Sequence, residues 1–373
     1  MNRTKRLSIL FLNSIAPAKY GGGEKWMIDA SSGLVRRGHR VWLVGRPGSR
    51  FLAMASARGL DTEPLRFRGD FGPIAIVRLA RLIRRRRVDL VCANYHKELR
   101  LCGFSSILAG RRPVFVARKG LPLIVDKLSH RLTYRFWVDA VITPSQAIKR
   151  RVSEISWLDP AIVHVIPNGV DPSRYDGSKG GTLRGEFGLG LDVPLIGFVG
   201  RLETQKRPDD LIRATSQLAG RFPLARVIFV GDGPLREELA ALAREMGLAD
   251  RVLFAGFREA VHEILPDLDV LVLPSQFEGQ PNIVLEAMAA GVPVVASDVE
   301  GIDEIIVSEE MGVIVPVGNI DGLAEGIAGL LASRERRAKI AEAARAFVRE
   351  RFSRDRMVES IESLFLDLTT WQR

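Results

Sequence analysis

Glu278 and Glu286 stand eight positions apart in the stretch LVLPSQFEGQPNIVLEAMAAGVPVVAS, residues 271–297. Two carboxylates at that spacing can accept hydrogen bonds from two sets of hydroxyls on one ligand. Their neighbours say where they sit. An apolar strand over 271–273 runs into a Pro-Ser loop that carries Glu278 and Gly279. Pro281 then opens a helix that contains Glu286. Gly291 closes it before a second strand over 292–296, the usual punctuation of Pro first and Gly last. The first backbone N–H groups of such a helix have no partner within it and can receive an anion. Carboxylates beside an anion-binding helix end suit a ligand with both hydroxyls and phosphates, such as a nucleotide-sugar. An ordinary strand–loop–helix with surface glutamates is the plainer alternative.

Other loops add candidates of matching chemistry. Arg201 and Lys206 follow an apolar strand that ends in Gly200. Two cations on one strand-end loop can neutralise a departing diphosphate, although isolated Arg and Lys are ordinarily solvated surface charge. Gly21, Gly22 and Gly23 precede a helix that starts near Glu24, and glycines let backbone N–H groups approach a phosphate closely. By themselves they are only a flexible turn. Gly231-Asp232-Gly233 is half of a dinucleotide fingerprint. With Arg236 in place of the third glycine it reads as a tight strand-to-helix turn, Pro234 starting the helix. His96, in Asn94-Tyr95-His96, ends a strand, where it is either a site residue or a hydrogen-bonded structural histidine. His39, His130, His164 and His262 read as structural or exposed. No cluster has metal-ligand spacing, so no metal and no cofactor is expected.

Apolar strand runs alternate with helix patterns along the whole chain, which argues for an α/β fold of parallel sheets covered by helices. The strand runs fall at 7–12, 41–44, 88–93, 114–117, 140–142 and 163–166. After a Gly-, Ser- and charge-rich stretch at 171–191 they resume at 195–199, 227–230, 252–254, 270–273, 292–296 and 313–315. The reading is two doubly wound, Rossmann-like domains facing across a cleft. Residues 1–170 form the first, 171–191 the linker and 192–350 the second. Residues 351–373 end the chain. At 373 residues each domain can bury its own core. Ligands of such sheets bind at the carboxyl ends of the strands, where the loops just named lie.

A hydrophobic content of 46% and a charged content of 26% describe a globular chain. Cys92 and Cys102 are too few for a disulfide framework or a zinc site and read as reduced, structural residues. The start MNRTKRLSILFLNSIAPA imitates a secretion signal, but its apolar core is short, and it reads as a first buried strand. No window approaches the roughly 18 apolar residues of a spanning helix, which places the substrates in the cytosol or at a membrane surface. The net charge of +10 is unevenly spread. Residues 1–170 hold 31 Lys and Arg against 11 Asp and Glu, and residues 171–373 hold 23 against 33. The basic half implies an anionic surface or acceptor. Residues 74–87, IAIVRLARLIRRRR, read as a basic amphipathic helix able to lie on anionic lipid, or else to pack its apolar face on its own sheet. Nucleic acid is not expected, because aromatics are 7% and no binding motif is present.

The glutamate stretch resembles the E-x7-E signature of retaining glycosyltransferases of the family 4 type, which have the GT-B architecture. Gly200-Arg201-Leu202 with Lys206, Val230 to Pro234, and VLFAGF at 252–257 resemble the same family. The resemblance implies a sugar transferred from a nucleoside diphosphate, UDP or GDP, to a hydroxyl acceptor with retention of configuration. It implies that Glu286 bonds the ribose and Glu278 a hydroxyl of the donor sugar. Gly279, Gln280, Pro281 and Asn282 would line sugar and phosphate, and Phe257 and Arg258 would mark where the base is read. Gly21, Gly22 and Gly23 would lie on the diphosphate side, with His96 near sugar and acceptor. In the family the last helix crosses back onto the first domain, a part that residues 352–368 could take. The chain departs from the family pattern at Arg207-Pro208, where a Gly often follows the lysine, so Arg207 could add or replace a phosphate contact. The basic half and the Arg118-Lys119-Gly120-Leu121-Pro122 stretch look similar to bacterial enzymes that build lipopolysaccharide or other envelope glycans. That similarity implies a glycan or glycolipid acceptor, and the basic excess of the first half with the 74–87 helix points to peripheral docking on the inner face of the cytoplasmic membrane. A GT-B enzyme of other chemistry, an epimerase or a phosphorylase, and a non-catalytic membrane-bound nucleotide-sugar sensor stay open.

Overall fold

The computed structural model describes residues 5–67, 72–121, 126–177 and 180–370. Residues 1–4 of the basic lead, Pro122 of the 118–122 stretch, residues 178 and 179 of the expected linker and residues 371–373 lie outside the described residues.

In chain order the elements are β1 (Ser8–Asn13), α1 (Gly22–Arg36), β2 (Arg40–Gly45), α2 (Arg50–Ala57), β3 (Asp61–Pro64), α3 (Pro73–Arg86), β4 (Leu90–Ala93), α4 (His96–Ala109), β5 (Val114–Arg118), α5 (Leu128–Trp137), β6 (Ala140–Thr143), α6 (Gln146–Ser153) and β7 (Val163–Val165). Then follow α7 (Thr182–Glu186), β8 (Leu195–Val199), α8 (Pro208–Leu218), β9 (Arg226–Val230), α9 (Arg236–Glu245), β10 (Val252–Gly256), α10 (Val261–Ile264), β11 (Val270–Leu273), α11 (Asn282–Ala290), β12 (Val294–Ser297), β13 (Val313–Val315), α12 (Ile320–Leu331), α13 (Arg334–Arg351) and α14 (Arg354–Thr370). They divide into two compact units, residues 1–168 with 354–373, and residues 169–353.

The first unit is a parallel sheet in the order β3-β2-β1-β4-β5-β6-β7. Both faces are covered, so β1 is apolar at nearly every position rather than at alternate ones. Ile9 and Phe11 point to a core shared with α1, α2 and α14, and Leu10 and Leu12 to one shared with α3, α4, α5 and α6. The strand order reverses between β1 and β4, which brings the loops after these two strands side by side. The second unit repeats the plan in the order β10-β9-β8-β11-β12-β13, with the reversal between β8 and β11. Two doubly wound α/β sheets are therefore present, as the sequence led us to expect.

Four features differ from, or sharpen, that expectation. The described residues of 171–191 belong to the second unit. Leu183 is fully buried, its N–H donates to Asp267 at 2.6 Å, and the Arg184 guanidinium donates to Asp269 at 2.9 Å and to the Gly190 carbonyl at 2.7 Å. The polar composition that suggested a linker is satisfied inside the second unit. Strand β3, Asp-Thr-Glu-Pro, was not expected, because a short polar edge strand carries no apolar run. The change from one unit to the other falls at residues 353–354. Phe352 packs in the core of the second unit, whereas α14 packs on α1, where Gly33 has no Cβ to meet Val358. Arg37 and His39 each reach Glu362 at 2.8 Å. Finally, α3 spends its apolar face internally: Ala75, Leu79, Ala80 and Ile83 are buried in the core, while Ile74 is 71% exposed and the arginines stay outside.

Candidate active site

In the second unit the strand reversal sets the loop after β8 against the loop after β11. The backbone N–H of Gln276 donates to the Gln205 carbonyl at 2.8 Å, and the Gln205 side chain donates to the Phe277 carbonyl at 2.9 Å. This lacing places the Lys206 ammonium on the Glu278 carboxylate, to which the Ser275 hydroxyl also donates at 2.7 Å. Glu278 is buried, as are Gly279, Gln280 and Pro281. Pro281 is the extended residue before α11 rather than its first turn, and Asn282 opens the helix. The Asn282 Oδ1 is buried with no hydrogen-bond partner among the described residues, an acceptor held ready at the helix start. Glu286 is buried one turn further along α11, whose residues 284–290 are all buried.

The Gly-Asp-Gly turn is structural. Leu202 N–H donates to the Asp232 carbonyl at 3.0 Å, Leu235 N–H to the Leu202 carbonyl at 3.1 Å, and Gly200 N–H to the Val230 carbonyl at 2.9 Å. Gly231 has φ +140°, and a Cβ there would lie 1.9 Å from the Gly200 carbonyl oxygen. The turn thus fixes the loop that carries Arg201 and Lys206. Arg201 is half exposed and pairs with Glu203 at 2.8 Å, so it is not gathered with Lys206 on Glu278. Arg207, expected as a possible phosphate contact, is committed to Asp210 at 2.6 and 3.0 Å before α8, and that bond raises its pKa. Phe257 and Arg258 follow β10. Phe257 is exposed, and Arg258 is held on Glu186 at 2.5 Å.

In the first unit, Gly21 is the extended residue before α1, and Gly22 and Gly23 already belong to the helix. Glu24 takes the Gly21 N–H at 3.0 Å and the Asn13 side-chain amide at 2.7 Å. The glycine stretch is therefore a first helical turn closed by its own carboxylate, not the open loop expected from sequence. His96 opens α4. It stacks on His130 at 3.8 Å, and burial, then Lys119, holds its pKa down at about 2. Burial and the neighbouring cations thus favour the neutral imidazole of His96. Among the described residues its Nε2 is buried without a hydrogen-bond partner. Glu98 is fully buried and accepts the N–H groups of Ser14, of Asn94 at 3.1 Å and of Tyr95 at 3.0 Å; burial pushes its pKa up to about 7.

Sequence reasoning placed Arg118 and Lys119 in the basic excess and in a stretch similar to envelope-glycan enzymes, but gave neither a role in a site. They end and follow β5, and both are more than nine-tenths buried. The guanidinium of Arg118 lies 4.9 Å from the Trp26 ring centroid and donates to Asn168 at 3.4 Å, while Lys119 donates to the Asn94 carbonyl at 3.3 Å. The available signal was position: two consecutive cations at the carboxyl end of an apolar strand.

Among the described residues no group of three or more His, Cys, Asp or Glu could hold a metal, and no helix is long and apolar enough to cross a membrane.

Residues 20–174 match the family model of Glycosyltransferase Family 4, and residues 182–347 that of Glycosyl transferases group 1. The chain is a glycosyltransferase of this group 1 and family 4 type. Over 64% of its length it is 34% identical to an uncharacterized glycosyltransferase of Methanocaldococcus jannaschii, a match that spans 63% of that protein. Over 92% of its length it is 26% identical to the lipopolysaccharide core biosynthesis glycosyltransferase LpsE of Rhizobium meliloti, 95% of which is covered. Anabaena HepE, solved in complex with UDP-glucose, shares the fold with a TM-score of 0.84 at 24% identity, over 98% of this chain and all of that one.

Proposed function

We propose that this chain transfers a hexose-like sugar from a nucleoside diphosphate to a hydroxyl of a lipopolysaccharide or other envelope glycan precursor, with retention of configuration. The observation that carries the proposal is the Lys206–Glu278–Ser275 cluster beside the start of α11, with Glu286 buried in the same helix. Without substrate, Lys206 and Glu278 neutralise each other. A donor offers each a better partner: its sugar hydroxyl donates to Glu278, and its diphosphate takes the Lys206 ammonium. Arg201, half exposed in its ion pair with Glu203, exchanges that partner and adds charge as the leaving group forms. Glu286 accepts from the ribose diol. No carboxylate is needed as nucleophile. The C1–O bond to the phosphate breaks, the acceptor oxygen attacks on the same face, and the leaving phosphate oxygen takes the acceptor's proton. The UDP and UDP-glucose complexes of HepE and the likeness to LpsE support a UDP-sugar and an envelope glycan.

The acceptor would be met at the inner face of the cytoplasmic membrane. The topology supports this, because α3, α4, α5 and α6, which carry the basic runs, all cover one face of the first sheet. That layer also presents Ile74 of α3 and Leu128 and Phe136 of α5, each more than 60% exposed among exposed arginines. Apolar side chains within a basic surface are what an anionic lipid headgroup region receives.

Calorimetric titration of UDP and GDP into the chain and its Glu286→Ala variant tests the donor assignment. The substitution should remove roughly 1.5–3 kcal/mol of nucleotide binding, the value of a hydrogen bond to a charged group. Unchanged binding removes Glu286 from the ribose. Sedimentation with anionic vesicles tests the membrane claim: it is wrong if the intact chain ignores them at low salt.

A further inference from the structure

We propose that Arg118 and Lys119 form an anion subsite for the acceptor, so that the molecule receiving the sugar is a hydroxylated compound carrying a phosphate or carboxylate. This rests on the reading of the chain as a glycosyltransferase and names the class of its second substrate.

Four observations converge. Arg118 and Lys119 are each only 7% exposed, yet among the described residues neither lies within ion-pair distance of a carboxylate. Buried cations are normally paired, because desolvation without a counter-ion is costly. The carboxylates whose charge reaches them, Glu24 for Arg118 and Glu98 for Lys119, are bonded elsewhere: Glu24 to the Gly21 N–H and the Asn13 amide, Glu98 to three backbone N–H groups. The walls beside the cations are bare: ideal Cβ atoms on Gly23 and Gly120 would lie 3.3 and 2.9 Å from Arg118 Nη1, and the one on Gly23 also 3.4 Å from Asn94 Nδ2. Two further buried polar atoms of the same strand-end loop, Asn94 Oδ1 and His96 Nε2, have no hydrogen-bond partner among the described residues. Unsatisfied buried polar atoms beside unpaired buried cations mark a place where a ligand completes the bonding. Cations call for an anion, and an orphan amide oxygen and imidazole nitrogen call for hydroxyls. The donor's diphosphate already has Lys206 and Arg201 in the other unit, so this anion belongs to the acceptor.

The test is thermal unfolding of the full chain and its Lys119→Met and Lys119→Arg variants, with UDP saturating so that any donor phosphate site is filled. The probes are inorganic phosphate, glucose 6-phosphate and glucose, at matched ionic strength. Phosphate and glucose 6-phosphate should stabilise the unsubstituted chain and glucose should not. Lys119→Met should weaken both anions at least about tenfold, the scale of one charge-assisted hydrogen bond. Lys119→Arg should keep most of the response. Without any anion, Lys119→Met should melt no lower than the unsubstituted chain, since it removes an unpaired buried charge; a merely structural lysine would destabilise when replaced. The proposal is overturned if the unsubstituted chain gains nothing from either anion, or if Lys119→Met keeps its response within about twofold. It is also overturned if Lys119→Met loses UDP affinity tenfold, which would assign the cations to the donor. Should Lys119→Met not fold, Arg118→Gln decides by the same criteria. Failure of the unsubstituted chain to bind UDP or GDP counts against the glycosyltransferase reading instead, and the anion series, repeated without nucleotide, still decides this one.

Discussion

The two strand reversals of this chain handle charge in opposite ways. At the β8/β11 reversal each cation near the site has a local carboxylate: Lys206 has Glu278, Arg201 has Glu203 and Arg207 has Asp210. Next to the β1/β4 reversal, Arg118 and Lys119 at the end of β5 are more deeply buried and, among the described residues, have none. The first arrangement is a site at rest, in which a ligand exchanges one set of ion pairs for another. The second is a site left electrically incomplete. On the proposed roles, one plan of sheet and loop yields a donor half that is neutral at rest and an acceptor half that is charged.

The sharpest way to break this contrast is to remove the Lys206–Glu278 pair from either side. Lys206→Ala and Glu278→Ala should each lower turnover about a hundred- to a thousandfold, the usual cost of losing a group that stabilises developing charge. Glu278→Ala should leave the affinity for free UDP nearly unchanged, because its partner is the sugar. Steady-state rates beside calorimetry separate the two effects. A Glu278→Ala variant that turns over normally would reduce the pair to a structural ion bridge.

The next effect is on stability. Gly231→Ala places a Cβ against the Gly200 carbonyl at a backbone angle that side chains rarely adopt. It should cost about 2–4 kcal/mol by denaturant titration, as backbone strain and a steric clash together do. Gly38→Ala, at φ +91° but with open space around its Cβ, should cost less. Equal losses would mean that conformation alone, and not the lacing of the β8 and β9 loops, explains the Gly-Asp-Gly turn.

The smallest effect is a pH linkage. Burial holds Lys119 down at about 8 against an ordinary 10.5, while Glu98 opposes the shift. Between those values the unfolded chain keeps a proton that the folded chain has released, so this group makes stability rise with pH across about 8 to 10.5. Glu98, pushed up to about 7 from 4.5, acts in a separate window and with the other sign: its contribution is greatest below 4.5 and is lost as pH rises through 7. Cys92, pushed up to about 12 by burial, makes stability fall over part of the alkaline window, so the difference between the chain and Lys119→Met is the quantity to read. That difference should shift by on the order of 1–3 kcal/mol between pH 8 and 10.5. A flat difference would mean that Lys119 is solvated.

The doubly wound fold was legible because parallel strands buried on both faces are continuous apolar runs, and because Pro and Gly punctuate helices such as α11. The polar elements were not. Strand β3 and the segment around α7 owe their place to partners distant in sequence, such as Asp267 for Leu183, which composition cannot reveal. Of the candidate site, the spacing of Glu278 and Glu286 could be read directly. The partner of Glu278 could not, because Lys206 reaches it only through the strand order β8-β11. Gly21, Gly22 and Gly23 misled for a local reason: Glu24 turns a glycine stretch into a capped helix start. Arg118 and Lys119 stood in a stretch noted for its resemblance, but no site role could be read for them, since burial, not residue type, sets them apart.

Same-face displacement is read most directly from the stereochemistry of transfer. Proton NMR of the sugar first released from an accepted α-linked nucleoside diphosphate sugar, recorded before the anomers equilibrate, reads it. Retention predicts the α anomer as the initial product, from the chain but not from Lys206→Ala at the same protein concentration. A β anomer as the initial product would contradict same-face displacement.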